Sequence, residues 1–154
     1  MEQPRRRPSN AGRVDQRCRH LREAEDTQAK SLDLRNKEED ALDWGLSQNN
    51  LAHTQRWLGA VTNDAAKLQE ARDGYAACED LGFEGEAPFR WSTLQWNIAD
   101  LALARYRVAP DPALLVEARD YVTRARTFFV DGSEYQTKRC DALIAQIDAA
   151  EAGA

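Results

Sequence analysis

Two asparagines, Asn50 and Asn97, stand 47 residues apart in matching surroundings. A carboxamide offers both a donor and an acceptor, the pair of functions that reads a peptide backbone amide. The same chemistry suits bonding between neighbouring helices, as it does for Gln48 and Gln95, and the residues alone leave both uses open. Around the first asparagine lie Asn49, His53, Arg56 and Trp57, and around the second Thr93, Trp96, Asp100 and Leu103. Rigid aromatics dominate binding energy at interfaces, which makes Trp57 and Trp96 candidate anchors. Trp44 and Trp91 occupy matched positions and read as core. His53, Arg56 and Asp100 give this set mixed charge rather than the all-basic clamp that holds a carboxylate terminus. Lys138 and Arg139 either add positive charge at one end of this set or stand as solvated surface, the reading preferred.

Residue types that would point to catalysis are missing from the pattern. There is no Gly-rich phosphate loop, nucleophile elbow or His-Glu metal helix. His20 and His53 stand outside any zinc-type spacing with Cys18, Cys78 or Cys140. The expectation is a non-enzyme with no cofactor and no bound metal. Three widely spaced cysteines cannot close a disulfide framework, which suits a reducing cytoplasm.

The whole chain has 154 residues, 42% of them hydrophobic, a net charge of −5 and a pI near 5.1. That suffices for one domain with a core, and the acidic balance disfavours nucleic acid or a membrane surface as partner. No stretch approaches the roughly 18 apolar residues of a membrane span. Charge is uneven: residues 1–20 sum to +4 through six arginines, and the remainder to −9. The arginine-rich start reads as a mobile basic arm.

The elements that must position these side chains emerge from an internal repeat. Shifted by 47, residues 41–81 match 88–128 at 12 of 41 ungapped positions, including Trp44/Trp91, Gln48/Gln95, Asn50/Asn97 and Ala52/Ala99. Glu70-Ala71-Arg72-Asp73 meets Glu117-Ala118-Arg119-Asp120. The same register aligns 21–34 with 68–81 at 7 of 14 positions, so three copies share it. A fixed period of this length marks a stacked repeat.

Each copy reads as two helices. First helices are expected near 40–58 and 88–107, with Trp44, Leu51 and Leu58 on one stripe and Trp91, Leu94, Ile98 and Leu101 on the other. Second helices open at Asp64 and Asp111, whose carboxylates can cap first-turn N–H groups. Pro112 follows where a missing N–H costs nothing. The incomplete first copy supplies one helix near 14–34, and Ser133 caps a last amphipathic helix that covers the preceding pair.

Trp-x3-Gln-x-Asn-(Leu/Ile)-Ala followed by Leu-x-Glu-Ala resembles the tetratricopeptide repeat (TPR) family, in its long-period bacterial subtype. Copy one reads Trp44-Gly45-Leu46-Ser47-Gln48-Asn49-Asn50-Leu51-Ala52, and copy two departs from the pattern by carrying Trp96 for the first Asn. Ala71, Tyr75 and Cys78, then Ala118, Val122 and Ala125, resemble the family's packing positions. Ala24, Gln28 and Ser31 of the first copy are more polar. The resemblance implies an all-α solenoid of antiparallel helix pairs: two full repeats, a preceding single helix and a C-terminal capping helix. It also implies a concave face lined by first helices, where Asn side chains hold an extended peptide.

The expected organisation is a basic arm over 1–20, a repeat domain over 21–150 and a flexible tail over 151–154. The expected role is a scaffold-like, peptide-binding interaction module whose groove residues are Asn49, Asn50, His53, Arg56, Trp57, Thr93, Trp96, Asn97 and Asp100. Its partner would be a protein, a peptide or a partner helix. Two alternatives stand beside it. One is a ligand-gated regulatory module acting through the basic arm. The other is an assembly subunit, or the C-terminal piece of a longer array, that self-associates through an uncovered apolar N-terminal edge.

Overall fold

Capping chemistry sets where the helices begin. In the computed structural model, which describes residues 9–154, six helices follow one another: α1 (Asn10–Asp33), α2 (Ala41–Thr62), α3 (Ala65–Glu79), α4 (Pro88–Val108), α5 (Pro112–Phe129) and α6 (Glu134–Ala152). No strand occurs among the described residues. Backbone N–H groups donate to the capping side chains of Ser9, Asp40, Asp64, Asp111 and Ser133. α4 has no capping side chain and opens instead on Pro88, whose missing N–H would have had no partner there. α2 ends on Asn63 in the left-handed region at φ 55°, a conformation Asn tolerates better than most residues.

Successive helices run antiparallel. Arg17 near the start of α1 meets Trp57 near the end of α2, and Arg35 after α1 meets Asp43 at the start of α2. Gly59 of α2 faces Leu68 of α3, and Gly45 faces Leu81. Phe89 and Phe129 join the outer ends of α4 and α5, and Arg119 reaches Glu151 across α5 and α6. α4 also packs against α2 and α6, whereas α1, α3 and α5 meet one another through long polar side chains such as Lys67–Glu25 and Arg72–Glu117. Thus α2, α4 and α6 form one row, parallel to each other, with α1, α3 and α5 outside it.

The core lies between these rows in two clusters that share α4. One gathers Ala52, Leu68, Ala71, Tyr75, Cys78, Leu94, Ile98 and Leu101. The other gathers Ala99, Leu103, Leu115, Ala118, Val122, Ala125, Phe129, Cys140, Leu143 and Ile147. Matched positions do matched work: Leu68/Leu115, Ala71/Ala118, Tyr75/Val122 and Cys78/Ala125 are all buried. The small Ala71, Ala118, Cys78 and Ala125 among them let helix backbones approach, and close packing follows.

Three expectations change. Residues 10–20 were assigned to the arm although a helix was expected from about 14; α1 begins earlier, at Asn10, takes in all of them and buries Cys18. The reason is local and tertiary together: Ser9 Oγ accepts from Gly12 N at 3.2 Å, and one side of α1 lies against α2. Residues 1–8 of the arm lie outside the described residues. At the other end α6 continues through Ala152, into the expected tail. The N-terminal edge was expected to be apolar, but Val14 is the one exposed large hydrophobic residue within α1; its other exposed positions are almost all charged or polar.

The polar first copy packs through a network rather than an apolar seam. Lys67 Nζ reaches Glu25 at 2.9 Å and Glu70 at 2.7 Å, and Gln55 Nε2 donates to the same Glu25 at 3.3 Å. Position 25 corresponds to 72 and 119 in the repeat register, and each of the three bridges forward. Arg72 Nε donates to Glu117 at 2.9 Å, and Arg119 Nη2 donates to Glu151 at 2.8 Å.

Candidate functional site

The face made by α2, α4 and α6 follows from helical spacing. On α2 the stripe runs Leu42, Leu46, Asn49, His53, Arg56 and Ala60; on α4 it runs Phe89, Thr93, Trp96, Asp100 and Arg107. Residues three and four apart share a helix face, so both stripes point the same way. Two cavities lie end to end along them.

The first cavity sits at the N-terminal ends of α2 and α4. It encloses about 220 Å³ and is lined mainly by Leu42, Leu46, Cys78, Phe83, Phe89 and Leu94, with Asn49, Thr93 and Arg90 as its polar groups. Burial pushes the Cys78 thiol up to about 12, and its Sγ donates to Gly45 O at 3.4 Å. Burial also raises Cys140. Thiols in this state are poor nucleophiles.

The second cavity, about 640 Å³, lies further along α2 and α4 and is closed on one side by α6. Arg56 and Asp100 meet at its floor, Nε to Oδ2 at 2.7 Å and Nη2 to Oδ1 at 3.0 Å. Trp57 Nε1 donates to His53 Nε2 at 3.0 Å, so the imidazole is neutral at that nitrogen. Burial holds His53 below the usual imidazole range; Asp100 opposes this, and Arg56 and Arg139 add to it. Arg56 lies over the Trp57 ring at 4.3 Å, Arg17 approaches the same ring at 5.1 Å, and Arg139 lies over Trp96 at 3.9 Å. The buried Trp96 Nε1 has no acceptor among the described residues.

The structure brings together five of the expected groove residues, His53, Arg56, Trp57, Trp96 and Asp100, around the second cavity. Asn49 and Thr93 fall on the first. Leu103 is fully buried in the core. The asparagine pair separates: Asn97 is 7% exposed and its Nδ2 donates to Asn49 Oδ1 at 3.0 Å, whereas Asn50 is exposed and lines neither cavity. Asn97 therefore bonds α4 to α2, the structural use of a carboxamide.

Trp44 and Trp91, expected in the core, are half-buried at its edge, beside Lys37 and Phe83 respectively. Of the two uses expected for Arg139 and Lys138, Arg139 takes the first, because α6 lays it on Trp96 at the cavity, while Lys138 is exposed and paired with Glu134. Arg107 and Gln146, which bond at 3.0 Å, complete the second cavity and were missed. The repeat register places Arg107 opposite Ala60, and nothing in the first copy marks it.

Among the described residues no group of three His, Cys, Asp or Glu side chains is placed to hold a metal ion, and no helix is long and apolar enough to cross a membrane. No family model, no curated protein and no solved structure matches the chain.

Proposed function

We propose that this chain is a non-catalytic interaction module, built as a TPR-like helical solenoid, that takes a peptide or partner helix along α2, α4 and α6. The observation that carries the reading is the continuity of two cavities on one face, ending in the partly exposed ring of Trp57. Support for the repeat architecture comes from the shared 47-residue register and from α2, α4 and α6 standing in one row. A row of first helices forming a groove is the arrangement in which such arrays recognise extended ligands. The aromatic and guanidinium groups along it are the side chains enriched at interface hot spots.

Selection of random 12-residue peptides on the full chain tests this, with counter-selection on Trp57→Ala and on a Trp57→Ala/Phe89→Ala variant. Both side chains are exposed, so circular dichroism should show unchanged helicity. Peptides that bind the chain and lose affinity on these variants support the groove. Binders indifferent to both variants, or none at all, overturn it.

A further inference from the structure

The groove carries a charge pattern at odds with the chain as a whole. The protein is −5 overall, yet the second cavity is lined by Arg56, Arg107 and Arg139 against a single carboxylate, Asp100. Arg56 is neutralised by that carboxylate. Arg107 and Arg139 bond only to the neutral amides of Gln146 and Gln136, at 3.0 Å each, and form no ion pair among the described residues. Arg17, reaching the same ring of Trp57 from α1, also lacks a carboxylate partner there. Among the described residues Arg35, Arg72, Arg105, Arg119, Arg124 and Arg126 are paired with acids, while Arg13, Arg19, Arg22 and Arg90 are not; what sets Arg107 and Arg139 apart is that both line one cavity.

The other end of the groove differs in kind. Leu42, Leu46, Phe83, Phe89 and Leu94 enclose a space of about 220 Å³, which suits one Leu-, Met- or Phe-sized side chain. Along α4, Trp96 beneath Arg139 is 7 residues from Phe89 and Arg107 is 18, about 10 and 27 Å at 1.5 Å per residue. An extended chain covers those distances in about three and about eight residues at 3.3 Å each.

We infer that the occupant is an extended acidic peptide segment, with one apolar side chain seated between Leu42, Leu46 and Phe89 and carboxylates about three to eight residues away, between Arg139 and Arg107. This rests on the groove reading and adds the chemistry of the partner to it. Guanidinium forks pair with carboxylates by charge-assisted hydrogen bonds. A uniformly charged polyanion is less suited, since the body around the groove is acidic and one end of the groove is apolar.

The composition of the groove-dependent peptides decides the matter separately from the groove itself. Expected is enrichment of Asp and Glu at a fixed spacing from one large apolar residue. Groove-dependent binders that are neutral or basic overturn the acidic inference and leave the groove standing. A fluorescein-labelled peptide of sequence Phe-Gly-Ser-Gly-Ser-Glu-Asp-Glu, blocked at both ends, then serves as probe in anisotropy.

Arg107→Gln and Arg139→Gln should each weaken the probe about threefold to tenfold, the range for partly exposed charged bonds. Arg124→Gln, on α5 and paired with Asp120, should leave binding unchanged. Replacing the acids of the probe by Lys should abolish binding on the parent chain and restore it on Arg107→Glu/Arg139→Glu. Equal loss with Arg124→Gln, or displacement of the probe by a dT12 oligonucleotide at equal concentration, overturns the assignment.

Discussion

Arg56 and Asp100 face each other across α2 and α4 as a two-point ion pair, with contacts of 2.7 and 3.0 Å and side chains only 8% and 17% exposed. The pair ties consecutive members of the central row at the floor of the groove. Removing one partner strands the other charge in a place water hardly reaches. Asp100→Ala should therefore destabilise the fold by about 2–4 kcal/mol, whereas the double replacement Arg56→Met/Asp100→Leu should cost far less. Urea midpoints of the three proteins check this; a single variant as stable as the parent would show that the pair is not buried in solution.

Asn97 and Asn50 share a repeat position but not a role. Asn97→Ala leaves Asn49 Oδ1 without its donor and should cost about 1–2 kcal/mol. Asn50→Ala, at an exposed site, should stay within about 0.5 kcal/mol of the parent. Thermal melts distinguish the two, and the reverse order of stability would contradict the Asn97–Asn49 bond.

Tyr75 is wholly buried and its hydroxyl has no partner among the described residues; burial raises its ionisation well above the ordinary phenol. Such a hydroxyl loses its hydration without compensation. Tyr75→Phe should stabilise the protein by about 1 kcal/mol, read as a higher melting temperature with unchanged helicity.

Gly59 packs so closely on α3 that an added Cβ would lie 2.7 Å from Leu68 Cγ and 3.1 Å from the Asp64 carbonyl oxygen. Alanine normally improves a helix interior by up to about 1 kcal/mol. Here Gly59→Ala should instead destabilise by about 1–3 kcal/mol, the cost of overpacking. A stabilised variant would mean that α2 and α3 sit further apart.

His53 gives the groove a pH dependence. Its folded pKa is lowered from 6.5, chiefly by burial, so the unfolded chain takes up the proton first. The contribution of neutral His53 is complete above about pH 6.5 and is lost as pH falls toward the lower folded value. Protonation also removes the acceptor for Trp57 Nε1. Urea midpoints should fall between pH 7.5 and 5 more steeply for the parent than for His53→Asn, with a matching change in Trp57 fluorescence. Identical slopes would rule His53 out as the source.

The sequence by itself determined the helices and their order. Asp64, Asp111 and Ser133 announce helix starts because a side-chain oxygen is the nearest acceptor for first-turn N–H groups, and all three act as caps. The 47-residue register marked Leu68/Leu115 and Ala71/Ala118 as core, since buried positions constrain side-chain size. Tertiary structure decided what register cannot express. Equivalent positions have different neighbours: α4 has α2 before it in the row, whereas α2 has α1 beside it and, among the described residues, no such row helix before it; α6 adds Arg139 to the groove beside α4. That is why Asn97 is bonded and Asn50 exposed, and why residues 10–20 are helical despite their charge. It is also why the charge of the groove became visible only when Arg107, distant in sequence from Arg56 and Arg139, was brought to the same cavity. Burial, pairing and local charge arise from packing between helices, and a repeat pattern records position within a helix but not what stands opposite it.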